Sequence, residues 1–370
     1  MSLEKDTVQQ TLCIPLWCRA VSTERQPSFF PDHDAARILA ELGEPRSKSL
    51  FYRLEYPNLQ CIVRQYDMAC EIARYVEAHP QACVVEMGAG LSCQRRQMAE
   101  AGMAGARSPW YAVDLPNVIE LRERLIPADG VERRVAGDLN DFSWMDGIDF
   151  SPERGAVFIG AGLFYYFMKD DVRRLVCELA RRFPGAALAF DATDHKGIKG
   201  VNKEVELAGN ASKSFFFLDD SKAEIPAWDP EIAGVEERDY FSGYATPGVT
   251  FRMSPLTRLV TNHMSRRHLG FIVHVDFARQ ERGRTPERRL RVWWICLISA
   301  HAHDKRPFAG YNRRATDEAR SLGAGGTVFS LRLGRRPQPY LIPAATFTSF
   351  RPVRCVSLSC KDCIEPWRPP

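Results

Sequence analysis

The sequence of 370 residues lacks any apolar run that approaches the roughly 18–20 residues of a membrane-spanning helix. Its longest apolar candidate, residues 292–298, is far too short, and residues 1–10 contain acids but no apolar stretch. We therefore expect no membrane segment and no signal peptide. The 11 cysteines are spaced irregularly, which favours free thiols in a reducing compartment over a disulfide framework. Together these absences predict a cytoplasmic protein.

Charge is distributed unevenly along the chain. Residues 281–370 hold 17 basic and 7 acidic side chains, and 15 of the basic ones are arginine, whereas residues 1–280 hold 33 basic and 39 acidic ones. This contrast predicts a domain boundary near residues 278–285. Hydrophobic residues make up 45% of the chain and charged residues 26%, which is ordinary for a globular protein with a sizeable core.

The segment 281–370 lacks the pattern of a metal or nucleic-acid site. Cys360 and Cys363 form a C-x-x-C pair, but a structural zinc site needs a second pair of ligands at a similar spacing. The arginines form no stripe and no nucleic-acid-binding motif. We therefore expect no metal and no nucleic-acid partner. We predict that this Arg/Pro-rich segment is a poorly ordered tail.

Short apolar segments in the first 280 residues alternate with amphipathic helical segments. The predicted strands are 82–87, 110–114, 131–136, 155–160 and 186–191, and the predicted helices between them are 93–103, 117–126 and 169–182. Strands that are apolar throughout are typical of a parallel sheet covered on both faces. The pattern therefore predicts an α/β fold with a Rossmann-like, doubly wound, mostly parallel sheet. We also predict helices within 33–79, notably 62–78, and a late edge strand at 271–277.

The first predicted strand ends in two closely spaced glycines. Gly88 and Gly90 let the backbone turn tightly and approach a ligand, but the dinucleotide fingerprint needs a third glycine where this chain has Cys93. Glu86 precedes the glycines, and Asp114 ends the second strand. Carboxylates at these positions suit a cofactor without phosphates, whose amino group and ribose hydroxyls donate hydrogen bonds. S-adenosylmethionine fits this description, with Asp114 on its ribose.

Polar and apolar residues also follow the third predicted strand. Asp138 and Leu139 come directly after it. Because the carboxyl ends of parallel strands meet at one edge of the sheet, we expect both residues to lie near the same ligand as the earlier acids. Asp138 would then lie near the adenine amine, and Leu139 would cover the face of the adenine ring.

Several further motifs occur in a fixed order. They are the segments 62–67, 79–80, 84–91, 110–118, 137–144, 158–166 and 183–191. In this order they resemble the leucine carboxyl methyltransferase superfamily, and within it the TcmP-like branch of polyketide O-methyltransferases. Weaker similarity extends upstream through residues 14–20 and downstream to about residue 278, so that the resemblance covers about three quarters of the chain.

The resemblance implies a class I methyltransferase domain over residues 1–280. It implies a helical part at about 1–80, a nucleotide-binding core at about 81–195, and a substrate cap with the final strands at about 196–280. S-adenosylmethionine would be the methyl donor, and Arg64 would pair with the carboxylate of its methionine part. The other implied cofactor-binding residues are Glu86, Gly88, Gly90, Asp114, Asp138 and Leu139.

Three positions depart from the pattern of that family. After the glycines the family continues with an acid and a base, whereas this chain has Ser92 and Gln94. Ala161 replaces a glutamate of the family. The departures leave open a non-catalytic protein that keeps the fold as a binding module. The retained acids Glu86, Asp114 and Asp138 favour cofactor binding.

The resemblance implies that the methyl acceptor is an oxygen nucleophile. A carboxylate acceptor needs no general base, whereas a phenol benefits from one, so both small carboxylic and phenolic acceptors fit. Tyr165, Tyr166 and His195 are the candidates for substrate positioning or base catalysis, although packing explains the tyrosines equally well and a solvated loop explains the histidine. Protein carboxyl methylation is the alternative enzymatic function. We expect a small-molecule substrate and no membrane partner, with the oligomeric state left open.

Overall fold

The computed structural model describes residues 12–43, 50–209, 212–241, 243–244 and 251–279, together with two short strands near the C-terminus. The chain divides into two units, Met1–Gly283 and Arg284–Pro370. In the second unit, Val328–Ser330 pairs with Leu341–Pro343 in an antiparallel ladder. The rest of the predicted tail lies outside the described residues. The assignment of domains stays a prediction.

A seven-stranded sheet forms the centre of the first unit. Its strands are β1 (Cys83–Met87), β2 (Trp110–Asp114), β3 (Glu132–Ala136), β4 (Ala156–Gly160), β5 (Ala187–Ala192), β6 (Ile232–Asp239) and β7 (Phe271–Phe277). Their order across the sheet is β3-β2-β1-β4-β5-β7-β6. Neighbours among β1–β5 are parallel, and β7 is antiparallel to both of its neighbours. The predicted α/β, mostly parallel, doubly wound sheet is confirmed.

The expectation of an edge strand at 271–277 was wrong. β7 is inserted between β5 and β6, and six of its seven residues are buried. The edge belongs to β6, which the sequence analysis missed. β6 carries four charged residues in succession at 236–239, a composition that masks a strand but suits the exposed edge of a sheet.

Helices cover both faces of the sheet, as predicted. They are α1 (Cys13–Arg25), α2 (His33–Glu41), α3 (Glu55–Ala78), α4 (Gln94–Glu100), α5 (Pro116–Leu125), α6 (Lys169–Arg182), α7 (Gly197–Leu207), α8 (Ser221–Glu224) and α9 (Pro255–Arg266). α6 has acids in its first turn and arginines in its last turn, so its charges complement the helix dipole. No helix in the described part of the chain could cross a membrane.

Separate apolar clusters lie on the two faces of the sheet. Val85 and Phe158 point to one face and pack with α6, whereas Val84 and Val157 point to the other and pack with α3. This alternation within fully buried strands explains why the strands are apolar throughout. A third cluster joins α1 and α2 next to the loop after β1, and it includes Leu91. The N-terminal helices therefore border the end of the sheet where a ligand would bind.

Candidate active site

A cavity of about 210 Å³ opens at the carboxyl ends of the parallel strands. β1 and β4 are neighbours in the sheet although β2 and β3 lie between them in the chain, so the strand order reverses there. In doubly wound sheets, ligands bind at this switch point. Seven of the predicted site residues line the cavity: Arg64, Glu86, Gly88, Gly90, Asp114, Tyr165 and Tyr166.

The loop after β1 requires glycine at two positions. Gly88 and Gly90 have positive φ angles of 60° and 49°, which residues with a Cβ adopt only with strain. A Cβ at Gly88 would collide with the side chain of Leu163, and a Cβ at Gly90 would lie 2.7 Å from Cδ2 of Leu12. All four residues line the cavity. Glycine therefore keeps this wall of the cavity open to a ligand.

A buried arginine holds the loop from behind, and the sequence analysis missed it. Arg122 on α5 donates through Nη1 to the carbonyl oxygens of Gly90 at 3.0 Å and Ser92 at 2.8 Å. Its Nε and Nη2 bind both carboxylate oxygens of Glu132 on β3, at 2.9 Å and 2.6 Å. The loop is therefore fixed by a paired guanidinium. The available signal was an arginine on the apolar face of a predicted helix.

Two carboxylates face the loop from β1 and β2. Asp114 accepts hydrogen bonds from the N–H groups of Gly90 and Leu115, each at 2.7 Å. Burial raises the pKa of Asp114, and both bonds counteract that rise. Glu86 is buried beside Nε1 of Trp110 at 3.4 Å, and burial raises its pKa. Because a carboxylate has about four acceptor positions, Asp114 retains two for the hydroxyls of a ligand.

Neutral side chains occupy the positions where the resembled family has an acid and a base. The hydroxyl of Ser92 accepts hydrogen bonds from the side-chain amide of Gln65 at 2.9 Å and from the N–H of Gln94 at 3.2 Å. The buried side chain of Gln94 donates to the carbonyl oxygen of Gln65 at 2.8 Å. These bonds join the start of α4 to α3. The departures thus replace charges with an amide network that anchors the same loop.

Arg64 reaches the cavity from α3 and pairs with Asp191 on β5. Its Nη1 lies 3.3 Å from Oδ2 of Asp191, which also accepts from the hydroxyl of Tyr240 at 2.6 Å. Oδ1 of Asp191 accepts from the N–H of Gly162 at 2.5 Å. The Nε of Arg64 is buried without a hydrogen-bond partner among the described residues. A Cβ at Gly162 would lie 2.7 Å from Nη1 of Arg64. Glycine at 162 therefore admits the guanidinium.

Tyr165 and Tyr166 lie in a short 3-10 helix, Phe164–Tyr166, that follows β4. Both residues line the cavity, and Tyr165 is buried while Tyr166 is partly exposed. Burial, together with the negative charge of Asp191, raises the pKa of Tyr165 well above its ordinary value. Its hydroxyl therefore stays protonated at neutral pH. It can donate a hydrogen bond but cannot act as a base.

Three predicted site residues lie outside the lining of the cavity. Asp138 is exposed, and its Oδ1 accepts from the N–H of Asn140 at 2.9 Å. Leu139 is buried in the main apolar cluster. Nδ1 of His195 lies 2.8 Å from Oδ1 of Asp219, and the histidine side chain is 51% exposed. The roles assigned to these residues in adenine binding and in catalysis stay predictions.

Three further ionisable side chains line the cavity, and the sequence analysis did not single them out: Arg19, Cys61 and Glu204. Nε of Arg19 on α1 pairs with Oδ2 of Asp32 at 2.7 Å. A hydrogen bond with buried Cys18 lowers the pKa of Cys61 on α3. Burial raises the pKa of Glu204 on α7 to about 7, with Cys61 raising it and Arg64 lowering it. Glu204 is partly exposed, and no described residue donates a hydrogen bond to its carboxylate.

Two curated proteins are similar to this chain in sequence. The tetracenomycin polyketide synthesis O-methyltransferase TcmP of Streptomyces glaucescens is 26% identical over 186 residues, which cover 50% of this chain and 66% of TcmP. The S-adenosyl-L-methionine-dependent methyltransferase dpfgK of Gibberella zeae is 23% identical over 222 residues, which cover 57% of this chain and 68% of dpfgK. This chain is thus similar in sequence to TcmP and to a second methyltransferase. The resemblance found in the motifs is thereby confirmed.

The comparison with solved structures is more distant. A DUF574 family protein of Streptomyces avermitilis matches 70% of this chain and 96% of its own length, with 11% identity and a TM-score of 0.45. No family model matches the sequence. The match to TcmP spans just under two thirds of that protein, so its activity is carried over only as a proposal.

Proposed function

We propose that the protein is an S-adenosylmethionine-dependent O-methyltransferase. It would transfer a methyl group in line to a carboxylate or phenolic oxygen of a small, polyketide-like acceptor. The observation that carries the proposal is the position of Asp114 at the carboxyl end of β2, oriented by the N–H groups of Gly90 and Leu115 at the mouth of the cavity. Relatedness to TcmP and dpfgK supports the same activity.

The residues of the cavity fit the cofactor at both of its ends. Asp114 offers free acceptor positions to two ribose hydroxyls. Arg64 brings a buried, unpaired Nε to the cavity wall, where a carboxylate of the methionine part would satisfy it. Gly88 and Gly90 hold the backbone open between these two groups. When bound, the cofactor supplies an electrophilic methyl group on a sulfonium.

This chain's own residues would chiefly align the reactants. Methyl transfer from a sulfonium is an in-line displacement, so catalysis depends on how closely the acceptor oxygen is held to the methyl carbon. The loop fixed by Arg122 and the pair formed by Arg64 and Asp191 would hold both ends of the cofactor on rigid elements. The protonated hydroxyl of Tyr165 can orient groups beside Asp191. These contacts support a site organised before the ligand binds.

The test is a calorimetric titration of S-adenosylmethionine into the full-length protein and its Asp114→Ala variant. Loss of two charge-assisted hydrogen bonds, each worth about 1.5–3 kcal/mol, weakens binding by roughly 100-fold or more. The control is Glu120→Ala, which removes an exposed carboxylate from neighbouring α5. Equal affinity in wild type and Asp114→Ala, with both proteins folded by circular dichroism, would contradict the proposal.

A further inference from the structure

A pair of cysteines lies where α1 packs against α3, next to the cavity. Cys61 on α3 lines the cavity and is partly exposed. Cys18 on α1 is completely buried in the apolar cluster against which Cys61 packs. The two thiols are in hydrogen-bond contact. One thiol of the pair is therefore open to molecules that enter the cavity, and the other is screened from solvent.

The two helices approach each other closely at this point. About one turn along each helix from the cysteines, the hydroxyl of Ser22 on α1 donates to the backbone carbonyl oxygen of Asn58 on α3 at 2.8 Å. Residues three or four positions apart lie on the same face of a helix, so Ser22 shares a face with Cys18, and Asn58 shares one with Cys61. A side chain as short as serine reaches a neighbouring backbone only where the helices are close. The contact between the thiols is therefore held by the packing of α1 against α3.

Positive charge lies near the exposed member of the pair. Arg64 follows Cys61 by three residues on α3, Arg19 is next to Cys18 on α1, and both arginines line the cavity. The hydrogen bond from Cys18 lowers the pKa of Cys61 to about 7, and both arginines lower it further, whereas burial and Asp191 raise it. Two further ionisable side chains respond in turn to the charge of Cys61, and these are Tyr56 and Glu204. About half of the Cys61 side chains are therefore thiolate at neutral pH.

Other cysteines in the described part of the chain have the opposite character. Cys70 lies on the same helix and is also partly exposed, but burial raises its pKa to about 12. Burial also raises the pKa of Cys83, Cys93 and Cys177. The thiolate, and not the thiol, is the nucleophile of cysteine chemistry. Cys61 therefore combines the ionisation and the access that a reactive cysteine requires, and Cys70 is its matched control.

We propose that Cys61 and Cys18 form a redox-active thiol pair in the wall of the cavity, in which Cys61 attacks hydroperoxides and Cys18 closes a disulfide with it. Where thiols are kept reduced, such a disulfide is transient and serves to sense oxidants. The inference does not depend on the proposed methyltransferase activity, because it concerns the two thiols alone. It places an oxidant-sensitive group beside Arg64 in the candidate active site.

The reaction balances with one hydroperoxide as the oxidant. The thiolate of Cys61 attacks the hydroxyl-bearing oxygen, and the O–O bond breaks. The leaving alkoxide or hydroxide takes up the proton that Cys61 had released, and Cys61 becomes a sulfenic acid. The sulfur of Cys18 then bonds to the sulfur of Cys61, the S–O bond breaks, and the thiol proton of Cys18 leaves with the hydroxyl group as water. The two thiols have thereby lost two electrons to the hydroperoxide.

The first experiment measures how fast the cysteines of the reduced, full-length protein react with iodoacetamide, by peptide mass spectrometry over a range of pH. At neutral pH we expect Cys61 to react at least about 100-fold faster than Cys70, because its larger thiolate fraction outweighs its weaker intrinsic nucleophilicity. The rate at Cys61 should rise with pH through about 7 and then level off.

The Cys18→Ala variant tests whether the partner thiol tunes Cys61. Its midpoint for alkylation of Cys61 should lie at least about one pH unit higher than in wild type, because the hydrogen bond to the thiolate is lost. Equal rates at Cys61 and Cys70 in wild type would overturn the proposal. So would a midpoint that Cys18→Ala leaves unchanged in a protein that is folded by circular dichroism.

The second experiment treats the same proteins with hydrogen peroxide and identifies the products in peptide digests. We expect wild type and the control Cys70→Ser to form a disulfide between Cys18 and Cys61 that dithiothreitol reverses. Cys18→Ala should instead accumulate a sulfenic acid at Cys61, trapped by dimedone, because the partner thiol is missing. Oxidation of wild type without this disulfide, or equal oxidation of Cys61 and Cys70, would contradict the proposal. The wild-type measurements need no substitution and therefore decide the matter even if a variant is unstable.

Discussion

The two walls of the cavity differ in how they are built. The strand-end wall carries Glu86, Gly88, Gly90 and Asp114, all within four residues of the end of a parallel strand or directly on it. The helical wall takes its ionisable groups from α3 and α7, which are far apart in the chain. The first wall follows from the rule that parallel strands present their carboxyl ends at one edge. The second exists only once the helices have packed.

The difference also concerns chemistry. On the strand-end wall, backbone N–H groups satisfy the carboxylate of Asp114. On the helical wall, Glu204 has no hydrogen-bond donor among the described residues, and its pKa is raised to about 7. The two walls therefore differ in how far the described residues satisfy their carboxylates. The pair of Arg64 and Asp191 joins α3, which carries part of the helical wall, to β5.

The buried pair of Arg64 and Asp191, which joins α3 to β5, gives the largest expected effect on stability. Asp191→Asn leaves the buried guanidinium of Arg64 without its counter-charge, which should cost about 3–5 kcal/mol of unfolding free energy. Urea unfolding at pH 7 measures this loss. The control is Asp146→Asn, whose partner is Arg182 on the surface and whose loss should cost less than about 1 kcal/mol. Equal costs for the two variants would show that the buried pair stabilises the fold no more than the surface pair does.

A buried ion-pair network around Glu71 should make the fold less stable in acid, without a change at the candidate site. Burial alone would raise the pKa of Glu71, but His274 and two arginines lower it to about 2 from an ordinary 4.5. The network therefore stabilises the fold by roughly 3 kcal/mol above pH 4.5, and this stabilisation is lost as the pH falls toward 2. Urea unfolding at several pH values should show this dependence in wild type and not in Glu71→Gln.

The histidine of the same network responds in the opposite direction. Burial lowers the pKa of His274, but hydrogen bonds to Asp276 and Glu71 outweigh it and raise the pKa above its ordinary 6.5. Its stabilising contribution is complete below that ordinary value and is lost as the pH rises through the raised one. Because Glu71 lies outside the cavity lining, Glu71→Gln should leave S-adenosylmethionine affinity unchanged. A weakened affinity would mean that the two regions are coupled.

The smallest effect is expected at His195. Its side chain is half exposed, pairs with Asp219 and lies outside the cavity lining, so His195→Asn should change kcat/KM by less than about twofold. The assay is methyl transfer to the best acceptor, run beside wild type. A loss of tenfold or more at His195, with a changed pH profile, would assign base catalysis to the loop after β5.

Local sequence patterns were sufficient to predict most of the fold. The predicted strands 82–87, 110–114, 131–136, 155–160 and 186–191 agree with the observed ones to within one residue at each end. Their continuous apolar character comes from burial on both faces. The prediction of 271–277 as an edge failed because alternation does not reveal which strands flank a segment. We did not predict β6 because its successive charged residues mask a strand in the sequence, although they suit the exposed edge of a sheet.

The residues of the candidate site also divide into those that local sequence patterns predict and those that only the packing reveals. The position of Glu86, Gly88, Gly90 and Asp114 beside a cavity could be predicted because each lies within three residues of the carboxyl end of a strand. Arg122 could not be assigned, since its role depends on Glu132 of another strand and on the carbonyl oxygens of a distant loop. These partners meet only through the packing of α5 against the sheet.

The sequence by itself determined the alternation of strands and helices, the glycine loop and the acids at the strand ends, because these depend on local spacing and on the common direction of parallel strands. The tertiary structure alone decided that Arg64 meets Asp191, that Arg122 supports the glycine loop and that Glu204 faces the cavity. The physical reason is that a charge in a helix has no fixed partner or solvent exposure until neighbouring elements exclude water around it.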